Sequence, residues 1–147
     1  MKEIEVTLIN SLKEIDPFVW DECACPEAKN NIRPLDPFTT FKFLSALEES
    51  KSVGSGTGWL PNYLIARQNN SVIGVMPFYL KGHSQGEYIF DHNWAEAFSH
   101  GGGRYYPKFQ IAVPFTPVSG RRILAKAGFE AIVGNALIKA AKKIALD

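Results

Sequence analysis

The chain has 147 residues, 46% hydrophobic and 21% charged, with a formal net charge of +1. That suffices for one domain with its own core, and the near-neutral balance excludes bulk attraction to nucleic acid or to an anionic membrane, so any basic site has to be local. No stretch approaches the length of a membrane span, and MKEIEVTLIN carries glutamates where a secretory leader has its apolar run, so no signal peptide is expected.

IEVTLI, residues 4–9, alternates Ile4, Val6 and Leu8 with Glu5 and Thr7, which is the period of a strand. In IDPFVWDECA, Asp16 supplies an N-cap and Pro17 a first helical residue. Cys23 and Cys25 stand too close for an ordinary disulfide and lack the partners of a zinc site. A reduced, cytoplasmic chain is the expectation. The same opening recurs in LDPFTTFKFLSALEES, where Asp36 and Pro37 predict a second helix with Phe38, Phe41, Leu44 and Leu47 on one stripe. KSVGSGTGWLP follows as an aperiodic loop.

In NYLIARQNNSVIGVMPFYLK two apolar runs flank the turn cluster QNNS, the pattern of a β-hairpin. Pro77 inside the second run predicts a bulge or an edge position. GEYIF extends the sheet in this reading as a further strand. NWAEAFSHGGG reads as a short helix closed by glycine, RYYPKFQIAVPF as a strand, and TPVSGRRILAKAG as a polar connection. FEAIVGNALIKAAKKIALD is an amphipathic helix. Ile132, Ala136, Ala140 and Ile144 line one of its faces, with Val133, Leu137 and Ala141 beside them and Asn135, Lys139, Lys142 and Lys143 opposite. This order predicts one α/β (α+β) domain over residues 1–147, with a mixed, mostly antiparallel sheet flanked by helices.

The densest polar stretch is KGHSQGEYIFDHNWAEAF, residues 81–98. If HSQGEYIFD is a strand, His83, Gln85 and Glu87 share a face, and Asp91 joins them. Such a face is either a convergent site or a solvated ion pair. His92 has no period-matched partner and reads as surface, whereas Trp94 and Phe98, four apart on a helix, read as core. Tyr105 and Tyr106 face opposite ways on a strand, and Lys108 reads as solubilising charge. Gly120, Arg121 and Arg122 suit a phosphate, through backbone amides and a guanidinium fork, or else form a solvated polar loop.

The hairpin YLIARQNNSVIGVMPFYL and the strand-to-helix run ending in VGNALIKAAKKIA, residues 62–80 and 105–145, are similar to the front half of the GNAT acetyltransferase fold. FLSALEES, TGWLPNYL, YLKGHSQGEYIFDHNWAEAF and YYPKFQIAVPFTPVSGRRIL together resemble a bacterial family of predicted N-acyltransferases, or peptidoglycan biosynthesis and recognition proteins, related to the FemAB aminoacyl transferases. That resemblance spans about residues 36–145 and implies a GNAT-like domain forming the N-terminal part of a longer chain.

It further implies N-acyl transfer to the amine of a small molecule, a peptide or a cell-wall precursor. The donor is acyl-CoA or aminoacyl-tRNA; neither DNA nor a membrane is an expected partner, and tRNA enters only as donor. Such a reaction needs a base for the amine and hydrogen-bond donors for the carbonyl. Glu87, His83 and Asp91 are the acceptor-side candidates, with Glu87 first as base or amine anchor. Gly120, Arg121, Arg122 and Gly134 are the donor-side candidates, Gly134 because a glycine near a helix start lets a pyrophosphate approach the backbone. Two other readings stand beside this one: a non-catalytic peptidoglycan or peptide recognition module, and an incomplete half-domain that forms a homodimer across an exposed sheet edge.

Overall fold

The computed structural model describes residues 3–26 and 35–146. β1 (Glu5–Ile9) leads through a 3₁₀ turn at Leu12–Glu14 into α1 (Pro17–Ala24). Asp16 caps α1 as expected, its carboxylate accepting from the Phe18 and Val19 amides at 2.8 and 3.3 Å. The second Asp-Pro pair behaves differently. Asp36 caps only a 3₁₀ turn, Pro37–Thr39, and Thr40 caps the true helix, α2 (Phe41–Glu49). The helix therefore starts after Thr40, because its hydroxyl reaches the Phe43 amide at 3.2 Å.

β2 (Trp59–Pro61) lies inside what reads as a loop, and β3 (Tyr63–Gln68) and β4 (Ser71–Met76) form the expected hairpin. Asn69 and Asn70 make its two-residue turn with φ of 49° and 64°, as a type I′ connection requires. The irregularity assigned to Pro77 sits elsewhere, as a register shift between Ala66 and Arg67. Pro77 instead marks the place where the chain leaves one sheet for another, because β5 (Tyr79–Lys81) pairs with β2 and β6 (Lys108–Gln110).

The expected mixed sheet is thus two antiparallel sheets, ordered β1-β3-β4-β7 and β2-β5-β6, where β7 is Leu124–Ala125. GEYIF is not a strand; Tyr88, Ile89 and Phe90 are exposed. α3 (His92–His100) forms as predicted, but it buries nothing: Trp94 is 74% and Phe98 55% exposed, so neither is core. α4 (Glu130–Leu146) closes the order.

The first sheet is covered on both faces, which explains why YLIA and VIGVM are unbroken apolar runs. Tyr63, Ile65 and Val75 pack with Trp20, Cys23 and Leu44 on the α1–α2 side. Leu64, Ala66 and Met76 pack with Val133 and Leu137 of α4 on the other. The buried stripe of α4 is Val133, Leu137 and Ala141, while Ile132 is exposed, so the inward face is rotated from the one its spacing suggests. Gly74 sets how closely α4 sits: a β-carbon there would lie 2.2 Å from Val133 Cγ1.

Candidate functional site

β5 is a three-residue strand whose first and third side chains point inward. Alternation therefore puts Lys81 on the buried side with Tyr79, and its side chain is only 1% exposed. A buried ammonium has to be paired. Lys81 donates to Glu87 Oε1 and lies over the Trp59 ring, 3.8 Å from its centroid. Glu87 comes from the irregular segment after β5, so the ion pair fixes that segment against the sheet.

A second pair stands in the same cleft. Lys108, at the start of β6, donates to Asp91 Oδ2, which also accepts from the Tyr105 hydroxyl at 3.1 Å. Asp91 Oδ1 accepts from the Tyr106 hydroxyl at 2.9 Å, and the Tyr106 oxygen in turn accepts from Ser84 Oγ at 2.5 Å. Tyr105 and Tyr106 thus converge on one carboxylate rather than facing apart, and Lys108 is no mere solubilising charge. The two tyrosine rings meet edge to face, with Lys108 Nζ 4.2 Å from the Tyr105 centroid.

Burial by itself raises the Asp91 carboxyl, but hydrogen bonds from Lys108, Ser84 and Tyr106 and the Lys108 charge outweigh it. Asp91 is held well below the usual carboxylate range, and so stays ionised. Lys108 shifts upward, because its bonds to Asp91 and Tyr105 overcome the opposing effect of burial. The Tyr106 hydroxyl also shifts upward, first through burial and then through Asp91. All three shifts favour one protonation pattern, a lysinium between a carboxylate and neutral phenols.

The cleft between these pairs has a volume of about 330 Å³ and is walled by Trp59, Tyr105, Phe109 and Phe115 among others. Lys81, Glu87, Asp91 and Lys108 give it two charges of each sign. Glu87 and Asp91 have different freedom: Asp91 is filled on both oxygens, whereas Glu87 accepts through Oε1, and its Oε2 has no partner among the described residues.

Two of the three acceptor-side candidates therefore meet in one cleft, although not by a shared strand face. His83 is the exception. It lines a separate groove with Gly54, Gly58 and Pro107, and its ring is so close to Gly58 that a β-carbon there would lie 2.5 Å away. Its Nδ1 accepts from the Gln85 amide at 3.2 Å. The irregular backbone of residues 82–90 breaks the alternation on which a common face depended.

Of the donor-side candidates, Gly120 lies beside the Arg122 guanidinium, but none of the four lines this cleft. Arg122 donates to the Arg121 and Val118 carbonyls at 2.9 Å each, and Arg121 reaches the Ala24 carbonyl at 3.4 Å. Gly120 sits against Asp36, whose Oδ2 would be 2.6 Å from an added β-carbon. Gly134 lies within α4 and lines a shallow groove with Ile123, Lys139 and Lys142. Among the described residues no three His, Cys, Asp or Glu side chains gather in a metal-holding arrangement, and no helix is long and apolar enough to cross a membrane.

Lys81, Lys108, Ser84 and the two tyrosines are the site residues that spacing did not reveal. Lys81 carried a legible signal, since a lysine two residues after Tyr79 in an apolar strand shares its inward face. Lys108 carried none, because its partner is brought from Asp91 by a change of direction.

Residues 11–147 match the model of the FemAB-like family, described as peptidoglycan biosynthesis/recognition. The chain belongs to that family. Neither a curated protein nor a solved structure matches it.

Proposed function

We propose that the cleft is the acceptor site of an N-acyltransferase that acts on an amine of a peptidoglycan precursor. The observation that carries this reading is Glu87: it lines a cleft walled by aromatic rings, with one oxygen held by Lys81 and the other without a partner among the described residues. An acceptor ammonium hydrogen-bonds there, and the same carboxylate takes its proton as the nitrogen attacks the acyl carbonyl. Glu87 takes one proton from the ammonium and so frees the nitrogen lone pair; the N–C bond then forms as the donor's ester C–O or thioester C–S bond breaks, and the second amine proton passes to the departing alkoxide or thiolate. Asp91 has a different part. Its four donors hold it charged and occupied, so it positions Tyr105, Tyr106 and Lys108 rather than acting as base.

The GNAT-like arrangement, and acyl-CoA or aminoacyl-tRNA as donor, belong to this proposal. Gly120, Arg121, Arg122 and Gly134 remain its donor-side residues, although none of them lines the cleft. Their absence from it favours a second reading, in which the same cleft recognises a precursor peptide without transfer.

The probe is N-acetyl-lysyl-D-alanyl-D-alanine, which has one free amine and one carboxylate. Calorimetric titration of the chain is expected to give saturable binding that E87Q weakens. Mass spectrometry with acyl-CoA or aminoacyl-tRNA then separates the readings: a product acylated at the lysine amine, lost in E87Q, supports transfer. Binding without product from either donor supports recognition alone. Binding that E87Q leaves unchanged removes Glu87, and with it the proposal.

A further inference from the structure

Trp59 is 2% exposed and lines the cleft, yet its indole Nε1 is buried without a hydrogen-bond partner. Among the described residues no other buried side-chain nitrogen or oxygen is left in that state. A buried donor left unmade is costly, so an orphan indole N–H in a native fold calls for an acceptor that the described residues do not supply. The surroundings do not supply one. Tyr79 meets the indole edge to face at 5.4 Å, Phe115 at a tilt at 5.7 Å and Lys81 over its face, and none of these contacts accepts the N–H.

Lys81 adds a second set of open donors. An ammonium has three N–H groups. The hydrogen bonds among the described residues direct one of them, to Glu87. Lys81 Nζ lies over the same Trp59 ring, and both side chains line the cleft.

We propose that Trp59 Nε1 and Lys81 form a carboxylate subsite, which takes the C-terminal carboxylate of the peptide whose amine meets Glu87. The inference rests on the acceptor reading given above and adds the class of ligand: an amine-bearing peptide with a free carboxyl end, as opposed to an isolated amine. The charges agree. Asp91 and Lys108 neutralise each other, so the open positions are one carboxylate oxygen at Glu87 and the cationic donors of Lys81, a pairing that suits a zwitterion. A carboxylate fits Trp59 and Lys81 better than a neutral carbonyl, because a charged acceptor strengthens both hydrogen bonds in a site shielded from water.

The test uses the folded chain, uniformly ¹⁵N-labelled, with N-acetyl-lysyl-D-alanyl-D-alanine and its C-terminal amide as probes. The indole N–H signals of Trp20, Trp59 and Trp94 are separate reporters, and W59F, which keeps the aromatic wall, assigns the one in question. The acid is expected to move the Trp59 signal downfield in a saturable way, with the amide binding at least about tenfold more weakly. W59F is expected to lose most of that preference for the acid. Equal binding of acid and amide, or binding of the acid with the Trp59 signal unmoved and W59F unaffected, overturns the subsite and leaves Glu87 as amine anchor. Failure of both probes to bind overturns the subsite together with the acceptor reading. K81M is a secondary variant, since loss of a buried ion-pair partner also threatens the fold.

Discussion

The Tyr79 hydroxyl donates to the Tyr63 hydroxyl at 3.2 Å, and this bond links the two sheets, since Tyr79 is on β5 and Tyr63 on β3. Tyr63 passes the connection on, donating to Glu48 Oε1 of α2 at 2.9 Å. Glu48 also accepts from the Leu12 amide and from Ser11 Oγ, at 3.0 and 2.7 Å. A single carboxylate thus ties β1's exit, α2 and both sheets. Both phenols are pushed well above the ordinary tyrosine value, chiefly by burial, and act as neutral donors.

Tyr63→Phe removes the middle of that chain and leaves the buried Tyr79 hydroxyl without an acceptor. The expected loss is about 1–3 kcal/mol in urea-induced unfolding. Tyr79→Phe removes only a terminal donor, so its cost is about 0.5–1.5 kcal/mol. Equal effects of the two would show that Tyr63 does not occupy the central place.

Lys81→Met strands Glu87 as a charge that is 12% exposed, with its partner removed. Breaking such a pair from one side costs about 3–5 kcal/mol, while removing both charges costs much less. K81M is therefore expected to unfold at lower denaturant than wild type, and K81M/E87Q to recover most of the difference. A double variant no more stable than K81M would mean that the two side chains are not coupled.

Asp91 predicts a pH dependence. Its folded-state pKa lies below the unfolded value near 3.9. The stabilisation is thus present above about pH 4, and is lost as pH falls through the lower, folded-state value. Asp91→Asn is expected to be less stable than wild type at pH 7. The gap between them should persist at pH 4 and close only in stronger acid. A gap that closes between pH 6 and 5 would contradict the low pKa.

Gly74→Ala forces a methyl group to within 2.2 Å of Val133 Cγ1 at the β4–α4 contact. Overpacking of this kind costs about 1–3 kcal/mol. Val133→Ala also destabilises, through lost packing, but in the double variant the two volume changes offset one another. A sub-additive sum, read by thermal unfolding, is the expected result; strict additivity would separate the two positions.

What the sequence by itself determined is local. β1, the Asp16 cap with Pro17, the Asn69–Asn70 turn and the existence of α3 and α4 follow from neighbouring residues and from the period of apolar positions. The long match to the FemAB-like family covers the same ground. Tertiary structure decided everything that depends on how those pieces face one another. The run on either side of Pro77 was visible, but its division between two sheets rests on the pairing of β5 with β2 and β6. Glu87 and Asp91 were singled out for a strand alternation that the irregular backbone after Lys81 does not have. They share a cleft for another reason. Buried Lys81 captures Glu87, and Lys108, Tyr105 and Tyr106, brought back by β6, capture Asp91. Charges far apart in sequence find one another only once burial makes an unpaired charge costly, and period alone carries no trace of that.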